Sequence, residues 1–320
     1  MGVVVMTVEL CLGQADWAPG GSEALERDLR FGGIQADSAG CRPEAATEYL
    51  YRVYLFGSLR LYRGGAEVVL KSREQRLIAL LALEGYRPRS YLAGRLWPET
   101  TEARAAGSLR AAVCRIERAA PGLLRVEDRQ VGFGPSVSVD LDEFQAHANE
   151  LSMYADAVPD GDDAEDRPGD QRCLQSLRVL LRAELLSGWY DDWVIYERER
   201  LQQLRLCALE ALATTLRTRG LTAAALTAAL GATAIEPLRE SAHRALIRVH
   251  LDDGNFHAAI REYRSFRRRM MTELGVRPSP QMDALIRPLM QRLEPVGSPR
   301  TASHPAKSGV SSRPAFRAAG

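Results

Sequence analysis

The segment TEARAAGSLRAAVCRIERAAPG, residues 101–122, carries four arginines on what its periodicity predicts to be one helix. On a helical wheel, one narrow stripe contains Arg104, Ser108, Ala111, Arg115 and Arg118. An apolar stripe about a third of a turn away contains Ala105, Leu109, Ala112, Val113 and Ile116. The apolar stripe predicts a side that packs on a core, so the arginine stripe is the side available to a partner.

That arginine stripe has the chemistry of a surface that reads DNA in the major groove. An arginine can donate to both O6 and N7 of guanine, a serine can donate or accept, and an alanine methyl can lie against the thymine methyl. Small residues between the arginines allow a close approach. The helix residues assigned to DNA are Arg104, Ser108, Arg110, Ala111, Arg115 and Arg118. The alternative is an ordinary solvated helix face, on which arginines are common.

Two further basic groups suit contacts with the DNA backbone. The predicted start of an earlier helix carries Lys71, Ser72, Arg73 and Arg76. Ser72 is expected to cap that helix, and helix N-termini and cations both favour phosphate. Arg129 lies in the turn of a predicted hairpin and is the candidate to enter a minor groove. For both groups, plain surface charge is the alternative.

The elements around these residues predict an α+β winged helix-turn-helix. Short β-branched and aromatic runs begin near residue 50 and are divided by Gly64-Gly65, a hairpin signal because that turn needs positive φ. One helix is predicted within KSREQRLIALLALEGYRP and a second from Ser90 to Trp97, so the arginine helix is the third. Two extended runs follow, LLRVEDRQVGF and SVSVDLDEF, and suggest a second hairpin. This order matches the OmpR-type variant of the fold.

From Phe144 onward the sequence is helical almost to its end and contains an internal repeat. Residues 208–230 align with residues 242–264 at an offset of 34, which pairs Gly220 with Gly254 and Leu212 with Leu246. This is the tetratricopeptide period, and such helix pairs stack because one pair cannot bury its apolar face alone. The second region is therefore predicted to be an all-α, tetratricopeptide-like array.

Composition and motifs narrow the class of function. The chain is 46% hydrophobic and 26% charged, as expected of a soluble globular protein. Its net charge of +1 gives no general argument for nucleic acid, although residues 50–146 carry more basic than acidic side chains. No phosphate-binding, dinucleotide, zinc-protease or hydrolase motif occurs, so the chain is predicted not to be an enzyme and to need no cofactor.

Metal binding, secretion and membrane insertion are not predicted either. The five cysteines lie far apart, without the spacing of a zinc site, and indicate reduced thiols. His243, His250 and His257 recur every seven residues, but no cysteine or carboxylate completes a set of ligands. The apolar start of the chain is too short to span a bilayer and contains Glu9. We therefore expect a cytoplasmic protein, with no metal and no membrane partner.

Three long segments resemble the Streptomyces antibiotic regulatory protein (SARP) family of transcriptional activators. They are SYLAGRLWPETTEARAAGSLRAAVCRIER, LLSGWYDDWVIYERERLQQLRLCALEAL and IEPLRESAHRALIRVHLDDGNFHAAIREYRSFRRRMMTELGVRPSP. The resemblance runs from about Tyr49 to Met290. It implies an OmpR-type winged helix joined to a helical bacterial transcriptional activation domain.

The resemblance also implies partners. These are double-stranded DNA, bound at direct repeats beside a promoter by two protomers side by side, and the sigma factor and alpha subunit of RNA polymerase. Residues 104–118 take the position of the recognition helix. The loop that tends to face polymerase contains Leu96, Trp97, Pro98, Glu99, Thr100 and Thr101. From the residues alone, Leu96 and Trp97 are instead expected to pack in the core.

The predicted organisation has four parts. An extension over residues 1–48 precedes the winged helix of 49–143, the activation domain of 144–293 with an acidic loop at 155–171, and a disordered basic tail of 294–320. The leading hypothesis is an activator of an antibiotic biosynthetic gene cluster that works on the nucleoid. The alternative is a helical-repeat scaffold for a protein or peptide, whose winged helix makes protein contacts.

Overall fold

A computed structural model describes residues 49–155 and 169–293. The extension of 1–48, most of the acidic loop and the basic tail therefore lie outside the described residues. The N-terminal region begins with three strands: β1 (Tyr51–Tyr54), β2 (Arg60–Arg63) and β3 (Ala66–Glu67). Strand β2 pairs antiparallel with both β1 and β3. Gly64 and Gly65 both adopt positive φ between β2 and β3, as the sequence predicts.

Three helices follow the strands: α1 (Ser72–Glu84), α2 (Arg89–Leu96) and α3 (Glu102–Ala119). Helix α1 buries Leu77, Ile78 and Leu81 on one face and ends where Gly85 turns to positive φ. Helix α3 buries Ala105, Leu109, Ala112 and Ile116, while Val113 is half-buried. The prediction of an apolar stripe on this helix is confirmed.

The second hairpin is formed within one of the two predicted runs, not between them. Strands β5 (Leu124–Glu127) and β6 (Gln130–Phe133) pair antiparallel, and the short β4 (Arg87–Pro88) adds to β6. The ring of Tyr86 lies over this sheet so closely that a Cβ at Gly132 would come within 1.9 Å of it. The run SVSVDLDEF instead supplies β7 (Val137–Val139), which pairs in parallel with β1 and extends the first sheet.

The rest of the described chain is helical. Its helices are α4 (Asp140–Ala155), α5 (Asp170–Leu180), α6 (Asp192–Thr218), α7 (Thr222–Ile235), α8 (Glu240–Asp252), α9 (Phe256–Glu273) and α10 (Pro280–Leu293). The 34-residue offset corresponds to two antiparallel helix pairs, α6 with α7 and α8 with α9. Gly220 and Gly254 occupy equivalent inter-helix turns, with φ of 75° and 71°.

The N-terminal region, residues 49–139, and the helical region, residues 140–293, share one continuous buried core. The predicted boundary after residue 143 falls inside α4, which packs on β1 and β7. The Asp140 carboxylate accepts the N–H groups of Leu55 at 2.9 Å and Phe56 at 3.2 Å. Burial raises the pKa of Asp140, although these two N–H groups act in the opposite direction. A buried, hydrogen-bonded carboxylate therefore joins the two regions.

The loop between α5 and α6 completes this junction by pairing its backbone with the chain beyond β1. Leu186 N donates to Leu55 O and Gly57 N to Glu184 O, each at 2.8 Å. Ser187 N donates to Gly57 O at 2.7 Å. Because backbone hydrogen bonds cross between the regions, their relative orientation is fixed by more than side-chain packing. No helix within the described ranges is long and apolar enough to cross a membrane.

Candidate nucleic-acid interface

The exposed face of α3 carries three arginines that bind nothing else in the described protein. Arg104, Arg110 and Arg118 are exposed, and none of them makes an ion pair or hydrogen bond with another residue in 49–155 or 169–293. Ser108 and Ala111 lie half-buried beside them. Three guanidinium groups on one solvated helix face can each offer two donors to an outside acceptor.

Arg115 differs from the other arginines of the predicted stripe. Its Nε donates to the carboxylate of Glu74, which is only 3% exposed on the core-facing side of α1. Its side chain remains 41% exposed. The stripe therefore divides into exposed arginines and one arginine held at the seam between α1 and α3.

The start of α1 carries most of the second predicted cluster. Lys71 is the N-cap residue and Ser72 is the first helical residue. The expectation that Ser72 caps α1 is thus wrong, and within residues 49–155 and 169–293 the first backbone N–H groups of α1 have no side-chain acceptor. A cavity of about 400 Å³ opens here and is lined by Lys71, Ser72, Arg73, Glu74 and Arg115. The structure thereby brings three of the predicted backbone contacts together with Arg115.

Arg76 is separated from that cluster. Its Nη2 lies 2.5 Å from Oδ1 of Asp191, the N-cap residue of α6. Its partner is therefore in the helical region, and Arg76 belongs to the junction. The spacing of Arg76 from Arg73 gave no sign of this, because Asp191 is distant in sequence.

Arg129 occupies the tip of the β5–β6 hairpin and is exposed. Asp128 and Arg129 both adopt positive φ, 45° and 66°, which is the turn geometry usually taken by Asn-Gly. The carbonyl of Arg129 accepts the N–H of Arg89 at 2.9 Å, so the tip is tied to the start of α2. The hairpin thus holds one cation at a fixed position beside the helices.

The predicted polymerase-facing loop is only partly available to a partner. Leu96 is 1% exposed and belongs to the core, so its assignment to a contact surface is wrong. Trp97 is half-buried against the same core. Pro98, Glu99, Thr100 and Thr101 are exposed. The surface offered to a partner is therefore the four-residue turn after Trp97.

The three regularly spaced histidines have no common site. His243 is buried, with Nδ1 2.7 Å from Oε1 of Glu262 and Nε2 3.0 Å from the carbonyl of Pro237. Although burial alone raises the pKa of Glu262, the hydrogen bond with His243 leaves it lowered. Within the described part of the chain, no group of three His, Cys, Asp or Glu side chains is arranged to hold a metal ion.

Glu74 is the residue that sequence reasoning missed. It precedes Leu77, Ile78 and Leu81 by three, four and seven residues, which places it on the buried face of α1. An acid on an apolar helix face needs a partner, because burying an unpaired charge is costly. The helical pattern could have identified Glu74 as buried, but it could not have named Arg115, 41 residues away, as the partner.

Comparisons with known proteins agree with this architecture. Residues 139–290 match the family model of the bacterial transcriptional activator domain. The chain is 29% identical over 248 residues to the regulatory protein AfsR of Streptomyces coelicolor. That match covers 75% of this chain and 24% of AfsR, so the chain spans about a quarter of the length of that relative.

A solved structure, Mycobacterium tuberculosis EmbR in complex with a low-affinity phosphopeptide, has a similar fold. The TM-score is 0.59 at 19% identity, with 76% of this chain and 65% of the EmbR chain covered. At this identity the likeness concerns the fold alone. Taken together, the comparisons show that the helical region matches the bacterial transcriptional activator domain and that the fold is similar to that of EmbR.

Proposed function

We propose that the protein is a sequence-specific DNA-binding activator whose N-terminal region is an OmpR-type winged helix-turn-helix. In this proposal α3 is the recognition helix and the β5–β6 hairpin is the wing. The observation that carries it is the set of exposed arginines on α3, Arg104, Arg110 and Arg118, which have no partner among the described residues. Arginines without an internal acceptor are available to guanine and phosphate.

The seating of α3 supports this assignment. Its apolar side is buried on the core, so its solvated side is presented as a rigid surface. Two further sites carry exposed cations whose contacts with the DNA backbone would fix the register. They are the start of α1, with Lys71 and Arg73, and the tip of the hairpin that follows α3, with Arg129.

The finer parts of the proposal follow from the resemblance to the SARP family. The protein binds direct repeats beside a promoter as a dimer, on the nucleoid in the cytoplasm. Its tetratricopeptide-like helical region and the exposed turn of Pro98 to Thr101 contact the sigma factor and the alpha subunit of RNA polymerase. The regulated genes are those of an antibiotic biosynthetic cluster.

The test is selection of bound duplexes from a random library by the full chain, followed by titration of the recovered sequence and of a scrambled duplex. We expect binding to the selected sequence to be at least about a thousandfold tighter, with a steep loss of affinity as salt rises. Equal affinity for both duplexes at moderate salt contradicts sequence-specific reading and favours the protein-binding scaffold.

A matched pair of variants locates the contact. Replacing Arg104, Arg110 and Arg118 by alanine should abolish selective binding. Replacing Arg261, Arg264 and Arg268, exposed on α9, removes the same charge elsewhere and should leave selectivity intact. Equal losses in both triple variants mean that general charge, and not the surface of α3, carries the binding.

A further inference from the structure

We infer that Glu74 is a positioning residue for DNA recognition, which acts by holding the guanidinium of Arg115. This inference rests on the proposed function and adds to it a residue that does not itself face DNA. Glu74 lies in α1 and Arg115 in α3, so their contact joins the first and third helices of the N-terminal region.

The contact between Arg115 and Glu74 involves one nitrogen of the guanidinium and one oxygen of the carboxylate. Arg115 Nε donates to Glu74 Oε1, and neither Nη atom of Arg115 has a partner among the described residues. Glu74 Oε2 is buried and likewise has no partner within them. The carboxylate therefore does not enclose the guanidinium but fixes its direction through Nε, leaving the edge with two parallel donors available.

Arg115 lies at the wall of an open cavity. The cavity of about 400 Å³ at the seam is lined by Arg115 and Glu74 together with Lys71, Ser72 and Arg73. Arg115 is 41% exposed, whereas Glu74 is almost fully buried. Three cations and the uncapped start of α1 thus line the space, and the one carboxylate there, Glu74, is paired with Arg115, so the space suits a group with two acceptor atoms.

The preferred ligand chemistry is a pair of acceptor atoms on duplex DNA. O6 and N7 of guanine provide such a pair, and so do two oxygens of one backbone phosphate. A held arginine binds either pair with less loss of side-chain freedom than a free one, because its planar group is already oriented. Loss of Glu74 should therefore weaken DNA binding even though it removes a buried negative charge close to the proposed DNA-binding surface.

The direction in which DNA affinity changes when Glu74 is replaced distinguishes a positioning role from a purely electrostatic one. If Glu74 acts only through its charge, Glu74→Met and Glu74→Gln should both bind DNA more tightly than the wild type, because repulsion of phosphate is removed. If Glu74 positions Arg115, Glu74→Met should bind the selected duplex about tenfold more weakly. Glu74→Gln keeps an oxygen that can accept from Nε and should recover most of that loss.

The experiment is a double-mutant cycle on the full chain, with Glu74→Met, Arg115→Met and their combination titrated against the selected duplex. We expect Glu74→Met to lower affinity alone and to have no such effect once Arg115 is absent. Glu102→Gln is the charge control, since Glu102 is exposed in the first turn of α3, and it should not weaken binding. Thermal unfolding of each variant verifies that the fold is kept.

The outcomes are distinct. A loss confined to one base-pair position means that Arg115 contacts a base, and a uniform loss with a shallower salt dependence means that it contacts phosphate; both support positioning. Unchanged or tighter binding by Glu74→Met, or an equal loss with and without Arg115, overturns the inference. A wild-type chain that does not prefer its selected duplex overturns the proposed function itself.

Discussion

The proposed DNA-binding face of α3 and the junction between the two regions both contain arginines, but these arginines are used in opposite ways. At the junction, Arg198 donates to the carbonyls of Leu185, Leu186 and Trp189 at 2.9–3.1 Å. On α3, Arg104 has no acceptor in the described protein. The same side chain therefore stabilises the fold in one place and is held ready for an outside partner in the other.

Arg205 extends the contrast. It lies over the rings of Phe56 and Phe144, at 5.7 and 5.2 Å from their centres, and contacts the N-terminal region from α6. Burial lowers the pKa of Arg205, with Glu184 acting in the opposite direction. Arg205 therefore helps to join the two regions even though burial disfavours its charged form. The exposed arginines of α3 instead remain hydrated. Substitutions should therefore separate stability from DNA binding.

The largest effect is expected at Arg198. Arg198→Ala removes donors from three carbonyls in the loop between α5 and α6 and should lower the free energy of unfolding by about 3 kcal/mol. Chemical denaturation measures this loss. Arg200 is the control, because it is exposed and its one ion-pair partner among the described residues is Glu197, one turn away. Its alanine variant should change stability by less than about 0.5 kcal/mol. Similar losses in both variants would remove the distinction between junction and surface.

The opposite pattern is expected at Arg104. Arg104→Ala should leave the unfolding free energy unchanged, because the side chain is exposed and makes no hydrogen bond or ion pair with the described residues, and should reduce binding to the selected duplex by about 1–3 kcal/mol. Titration against single base-pair variants of that duplex should show relaxed preference at one position. Lower stability with unchanged DNA affinity would assign Arg104 to the fold instead.

A smaller effect is expected at the hairpin tip. Arg129→Gly removes the cation but suits the positive φ of that residue, so the fold should be retained or slightly stabilised. The slope of log affinity against log salt should become shallower by about one, with base preference unchanged. Arg125→Ala, on β5 and paired with Glu127, provides a control that should not alter the slope.

The smallest expected effect is a change in the stability of the helical region with pH, through His147. Burial, and next the charge of Arg172, lower the pKa of His147, whose Nδ1 lies 2.8 Å from Ser176 Oγ in the core between α4 and α5. The unfolded chain binds the proton near its ordinary pKa of about 6.5, so stability is present above that pH and is lost as pH falls through it.

Thermal unfolding at several pH values measures this effect. Between pH 8 and pH 5.5 the wild type should lose stability relative to His147→Gln, by about 1 kcal/mol or less. The difference isolates His147, because His250, whose pKa burial also lowers, is present in both proteins. A difference that does not vary with pH would exclude His147 as its cause.

The helices and turns of this protein could be predicted from neighbouring residues, but the contacts between residues distant in sequence could not. Periodicity placed α3 and its buried side, and Gly64-Gly65 placed a turn, because both depend on neighbouring residues. The partners of Arg76 and Arg115 were not predicted, since each contact joins residues distant in sequence. The same is true of β7, whose parallel pairing with β1 depends on the intervening chain.

The proposed DNA-binding face of α3 contains a thiol that can report whether DNA covers it. Cys114 is an exposed thiol on α3, and Cys207 is an exposed thiol on α6 in the helical region. Alkylation of the full chain, followed by mass spectrometry of the separate peptides, therefore reports both surfaces in one sample. With the selected duplex in excess of its dissociation constant, Cys114 should be protected to the extent of DNA occupancy, while Cys207 reacts at its free rate. Equal reactivity of Cys114 with and without saturating duplex would contradict the assignment of α3 as the reading helix.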